Sequence, residues 1–240
     1  MRRTDTSTLS DVSRTANLSA VGPKVGMNCD RIARFYRAAE YLAFGRTLQA
    51  CRVMFLGDVA DCRRALVCGG GDGRFLGALL RTNQEIRADF VDLSAGMVRI
   101  ARRRVDAIGP EASAQTRFYV GDILRFNPAG GELYDLVTAH FFLDCFDNVE
   151  VERVACKLGS FAPSGASLLL SDFRIPPRGI AGYIDTAIVR SLYAAFRLTT
   201  GLRVTRLPDY EGALERVGFC KQREMTKLGG LLAASLWRKT

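Results

Sequence analysis

The residues with the clearest chemical potential form a short run, Gly69-Gly70-Gly71-Asp72-Gly73, directly after an apolar, β-rich stretch. Glycines in such a place let the backbone turn sharply and let a ligand approach without interference from Cβ. Two nucleotide-binding patterns compete for a turn of this kind. The dinucleotide fingerprint G-x-G-x-x-G requires glycine at 74 or 76, and those positions hold Arg74 and Leu76. A phosphate-binding P-loop requires a following Gly-Lys-Ser/Thr, which is absent. The spacing present is G-x-G-x-G. The next β-rich run ends at Asp92, whose carboxylate can accept hydrogen bonds from both hydroxyls of a ribose, each worth roughly 1.5–3 kcal/mol. Nicotinamide enzymes use the same acid, and helix capping by Asp92 or Ser94 is the purely structural alternative. The run after that ends Val120-Gly121-Asp122-Ile123. There a second acid can take an adenine amino group, with Leu93 and Ile123 as apolar faces. Two acids on successive strand tips make a sharper signal than either alone. A fourth run ends at His140, the one histidine of the chain, with Asp144 four residues on.

These residues need a scaffold that brings strand tips together, and the sequence supplies one. Short β-rich runs at Arg64–Cys68, Ala88–Asp92, Arg117–Val120, Tyr134–His140 and Ser167–Asp172 alternate with helical stretches at Arg74–Arg81, Ala95–Ile108 and Val149–Phe161. A Gly/Pro-containing connection, Asn127 to Gly131, joins the third and fourth runs. Alternation at this spacing predicts a parallel sheet with right-handed crossovers, where ligands sit at the carboxyl ends of the strands. The end of the chain differs. A helix over Asp209–Val217, closed by Gly218, precedes two β-like runs, Phe219–Thr226 and Leu231–Arg238, split by Gly229-Gly230. Strands joined so tightly are antiparallel.

Taken in order, Ala65–Leu76, Phe90–Met97, Phe118–Ile123 and Tyr134–Asp144 resemble motifs I to IV of class I S-adenosylmethionine-dependent methyltransferases of the small-molecule type. The terminal hairpin is similar to that family's last two strands, and the match covers about residues 50 to 240. The resemblance implies an α/β fold: a Rossmann-like, seven-stranded, mostly parallel sheet with an antiparallel C-terminal strand and helices on both faces. It implies S-adenosylmethionine as cofactor, with Gly69, Gly71, Asp72, Gly73, Asp92, Leu93, Met97, Asp122, Ile123 and His140 around it. It also implies an N-terminal lid helix over 28–52, which brings Tyr36 to the cofactor, and an acceptor-side insertion over 183–206. The family usually carries an acid two residues before the first glycine of motif I, and this chain has Val67. Asp72 or a backbone carbonyl is the expected substitute as partner for the cofactor's amino group. His140, at the strand tip facing the methyl, is the candidate general base for a hydroxyl acceptor, with Asp144 as the group that orients it. The alternative is that His140 only packs at the site. Phe141, Phe142 and Phe146 divide between core and pocket wall.

Composition sets further bounds. At 240 residues the chain suits one α/β domain over 28–240, after a tail over 1–27 rich in Ser and Thr. No apolar run is long enough to span a membrane, and the start lacks a secretory h-region. Seven scattered cysteines without a C-x-x-C pair point to a reduced, cytoplasmic setting, and with a single histidine no zinc or other metal site is expected. The net charge of +9 is spread along the chain apart from Arg102-Arg103-Arg104, which reads as a solvated helix face. Nucleic acid is not the expected partner, since the fourth strand tip reads Ala139-His140-Phe141-Phe142 rather than Asn/Asp-Pro-Pro-aromatic. A small-molecule acceptor is, and the stretch Tyr183–Arg203, apolar and helix-prone over Tyr183–Leu198, would recognise it, pack on the sheet, or join a homodimer. The alternatives are a nicotinamide-dependent oxidoreductase, short of its third glycine, and a non-catalytic partner subunit.

Overall fold

The computed structural model describes residues 46–174 and 208–240. The N-terminal tail, most of the expected lid helix including Tyr36, and the 183–206 insertion lie outside the described residues. Seven strands form one sheet in the order β3-β2-β1-β4-β5-β7-β6. They are β1 (Arg64–Cys68), β2 (Arg87–Asp92), β3 (Thr116–Val120), β4 (Leu136–His140), β5 (Ser167–Phe173), β6 (Phe219–Lys227) and β7 (Leu232–Lys239). The first five are mutually parallel, and β7 runs antiparallel to both β5 and β6. The expected architecture is therefore the one observed: a Rossmann-like sheet closed by an antiparallel hairpin.

Six helices cover the sheet among the described residues: α1 (Thr47–Arg52), α2 (Arg74–Thr82), α3 (Ala95–Asp106), α4 (Pro110–Ala114), α5 (Asn148–Phe161) and α6 (Tyr210–Arg216). Strand alternation sorts their partners. Ala65, Val67, Ala88, Phe90, Leu136, Leu169 and Phe173 pack in one layer against α1 to α4. Leu66, Cys68, Val91, Val137, Ala139, Leu168 and Leu170 pack in the other against α5 and α6. Every residue of β4 and β5 is buried, as central strands covered on both faces must be.

Local chemistry fixes the helix ends. Ser94 caps α3 by accepting from the Met97 amide at 3.3 Å. Asp147 and Glu150 make a reciprocal capping box on α5. The expected helix over Ala95–Ile108 is observed as α3, ending at Asp106; after Gly109 the chain adds the short α4, with Pro110 in its first turn. At the amino ends of the strands, buried Asp89 of β2 accepts from Arg117 of β3 at 2.6 and 2.8 Å and from the Tyr134 hydroxyl at 2.6 Å. Glu132 bridges Arg117 and Arg64. This brace ties three strands at the end of the sheet away from the glycine turn. No described helix is long and apolar enough to cross a membrane.

Candidate functional site

The glycine run forms the turn from β1 into α2, and its glycines do different jobs. Gly69, Gly71 and Gly73 all hold left-handed φ, at 56°, 58° and 76°. A Cβ on Gly69 would enter the Phe142 ring, and one on Gly73 would meet Ala101 of α3 at 2.7 Å, so these two permit close packing. A Cβ on Gly71 would meet nothing within 4 Å. Gly71 is thus bare towards open space, the position at which a ligand gains from its lack of a side chain.

Asp92 stands beside it. Its Oδ2 accepts from the Gly71 amide and its Oδ1 from the Ser94 amide, both at 2.9 Å. Burial pushes this carboxyl upward, while the two amides pull it back toward the charged form. Each oxygen keeps a second lone pair for a ligand hydroxyl. Next to Asp92, Leu93 leaves 69% of its surface exposed. The Gly121 amide donates to the Asp92 carbonyl at 3.0 Å, and a Cβ on Gly121 would likewise meet nothing within 4 Å. Gly71, Asp92, Leu93 and Gly121 therefore border open space across the carboxyl ends of β1, β2 and β3. Asp122 sits at the same end, with Oδ1 accepting from the Leu124 amide at 2.9 Å.

Three other expected contacts are directed elsewhere. Asp72 pairs with Arg74 at 2.9 Å and with Arg104 at 3.2 Å, and the Arg104 Nε donates to the Asp72 carbonyl at 3.0 Å. Its carboxylate ties the glycine turn to α3, and Val67 is buried in the core. Ile123 and Met97 are buried in or against the core, so the apolar face offered to a ligand is that of Leu93. The Arg102–Arg104 triplet is also partly used internally: Arg104 holds Asp72, and Arg102 lies over the Phe118 ring at 4.7 Å.

His140 ends β4 with its imidazole buried on the α1–α4 side, 4.3 Å from the Phe75 ring centroid. Its Nδ1 lies 3.0 Å from the Ser171 hydroxyl, which in turn donates to the Cys51 carbonyl of α1 at 3.2 Å. Its Nε2 has no hydrogen-bond partner among the described residues. Burial, with Arg52 nearby, lowers its pKa to about 3, so the ring is neutral at ordinary pH.

The expected His140–Asp144 pair is not formed. After His140 the chain takes a left-handed step at Phe141, φ 52°, and a 3-10 turn over Leu143–Cys145, so the spacing of four is not a helical turn. Asp144 joins Asp172 instead: the Asp144 amide donates to Asp172 Oδ2 at 3.2 Å and the two carboxyls hydrogen-bond. Asp172 follows Leu168 and Leu170 in strand parity, so this pair lies on the opposite face of the sheet from His140. Burial and the Asp144 charge push the Asp172 carboxyl well up. Neither Ser171 nor Asp172 is visible as a site residue in sequence, since only the β4–β5 register places them beside the fourth strand tip.

Comparison with known proteins shows what this framework is similar to. Residues 66–158, which carry the glycine turn, Asp92, Asp122 and His140, match the family model for a methyltransferase domain. Beyond that domain, the fold extends to solved methyltransferases. The mitomycin 7-O-methyltransferase MmcR superposes with a TM-score of 0.65 at 18% identity, over 88% of this chain and 60% of that one. The N-methyltransferase NodS from Bradyrhizobium japonicum WM9, in complex with S-adenosyl-L-homocysteine, gives a TM-score of 0.58 at 14% identity, over 82% and 88%. A polyamine aminopropyltransferase of Bacillus anthracis is 31% identical over 87 residues. That stretch is 35% of this chain and only 24% of the relative.

Proposed function

We propose that the methyltransferase domain binds S-adenosylmethionine and transfers its methyl group to a hydroxyl of a small molecule. The observation that carries this reading is the bare cradle of Gly71, Asp92, Leu93 and Gly121 at the carboxyl ends of three adjacent parallel strands. The spare lone pairs of Asp92 suit the ribose hydroxyls, exposed Leu93 suits a face of the adenine, and Asp122 suits its amino group. When bound, the cofactor supplies an electrophilic methyl on a sulfonium. The protein contributes orientation, which is the larger part of catalysis for a displacement in line. His140 contributes an acceptor for the hydroxyl proton. It needs little basicity, because an alkylated hydroxyl is a far stronger acid than an imidazolium.

The test is calorimetric titration of the full chain with S-adenosylhomocysteine, with NADH in parallel. Binding of the first alone, lost in Asp92→Ala, supports the reading. Binding of NADH would replace it with an oxidoreductase, and binding of neither would make the chain a non-catalytic partner.

A second reading is transfer to an amine. The buried Asp144–Asp172 pair suits a cation, and the curated relatives are named for polyamine chemistry. A panel of hydroxyl and amine acceptors, read as S-adenosylhomocysteine release, separates the two.

A further inference from the structure

We propose that Ser171 is a positioning residue that holds His140 as its Nδ1–H form, so that Nε2 meets the acceptor as a bare lone pair. The inference deepens the role given to His140 above and rests on that reading for its consequence, though not for its geometry.

The argument is a count of protons. Ser171 has one hydroxyl hydrogen and two neighbours within reach, His140 Nδ1 at 3.0 Å and the Cys51 carbonyl at 3.2 Å. A carbonyl can only accept, so the hydroxyl hydrogen goes to Cys51 and the serine oxygen accepts from Nδ1–H. The opposite arrangement would set two oxygens face to face with no hydrogen between them. It would also make Nε2 a buried N–H without an acceptor, and an unmet buried donor carries the full cost of its lost hydration. The Cys51 carbonyl, in the last turn of α1, accepts from the Met54 amide at 3.2 Å and keeps a second lone pair for the Ser171 hydroxyl. β5 supplies the serine in register, since His140 and Ser171 are paired positions of adjacent parallel strands. The Phe141 amide donates to the Ser171 carbonyl at 2.6 Å and locks that register at the strand tip. Arg52 is the charged neighbour that, with burial, keeps the ring neutral.

The consequence concerns the substrate. A bare Nε2 selects an acceptor that brings its own hydrogen, an O–H or N–H, and offers nothing to a nucleophile without one.

A chain with one histidine makes the test direct. In full-length protein labelled with 15N-histidine, the ring gives a single pair of nitrogen signals. The expected spectrum is Nδ1 protonated and Nε2 unprotonated, unchanged across the range from weakly acidic to weakly basic pH. In Ser171→Ala the ring is expected to shift toward the Nε2–H form that free imidazole prefers, while Ser171→Thr keeps the native pattern. Should the alanine variant not fold, Ser171→Cys replaces the oxygen with a weak acceptor of nearly the same size and is expected to shift the same way. An Nε2–H ring in the native protein, or identical spectra for native and Ser171→Ala, would overturn the proposal. Neither result bears on S-adenosylhomocysteine titration, so failure here and failure of the cofactor reading are separable.

Discussion

At the scale of single residues, the glycines of the turn after β1 are not equivalent, and the difference is measurable. Alanine at Gly71 meets no atom but must hold φ near 58°, a strain of about 1–2 kcal/mol. The variant is expected to fold, with a modestly lower melting temperature, and to lose at least tenfold in S-adenosylhomocysteine affinity, because its methyl group fills the cradle. An unchanged affinity by calorimetry would remove Gly71 from the site. His140 makes a second prediction. Unfolding returns its imidazole to the ordinary value of about 6.5, whereas the folded ring takes a proton only near pH 3. Between those values the unfolded chain binds more protons, so His140 makes stability fall as pH drops through this window. Denaturant unfolding at a series of pH values should show His140→Gln with a shallower fall than the native protein. Equal slopes would mean the ring is not buried as described.

At the scale of elements, the strands were the legible part, and their partners were not. Each expected run lies within two residues of an observed strand, because β-branched and apolar stretches bounded by turns report their own conformation. The glycine turn and Asp92 were legible for the same reason, being local features at a strand end. What a side chain meets across the sheet depends on register and face, which no local pattern carries. Thus the spacing of Asp144 from His140 suggests a pair, but a left-handed Phe141 followed by a 3-10 turn sends it to the other face, to Asp172. Asp72 falls within a cofactor motif by sequence, and its partner Arg104 lies on a separate helix, α3. That reassignment predicts that Asp72→Ala costs about 1–2 kcal/mol of stability through the loosened α2–α3 contact. Its affinity for S-adenosylhomocysteine is expected to stay native. A loss of affinity without a loss of stability would restore Asp72 to the site.

At the scale of the whole molecule, the two ends of the parallel strands have divided labour. The carboxyl ends carry the glycine turn, the left-handed Phe141 and the unpartnered Nε2 of His140, and the amino ends carry the brace of Asp89, Arg117, Tyr134 and Glu132. Asp89→Ala strands a buried hydroxyl and breaks a bidentate pair, and is expected to cost about 2–3 kcal/mol, allowing for the half-exposed arginine. Cofactor affinity of the folded fraction should be native; a large loss of affinity would show that the two ends are coupled. The hairpin that closes the sheet has its own consequence. β6 is an outer strand, and its pairing with β7 slips between Lys221 and Arg223. With Lys221, Arg223, Glu224 and Lys227 along it, the strand offers an incoming chain a bent, charged border instead of a straight ladder of amides. The sheet therefore ends on a rim that discourages runaway stacking of strands from other molecules, the step that begins fibril growth.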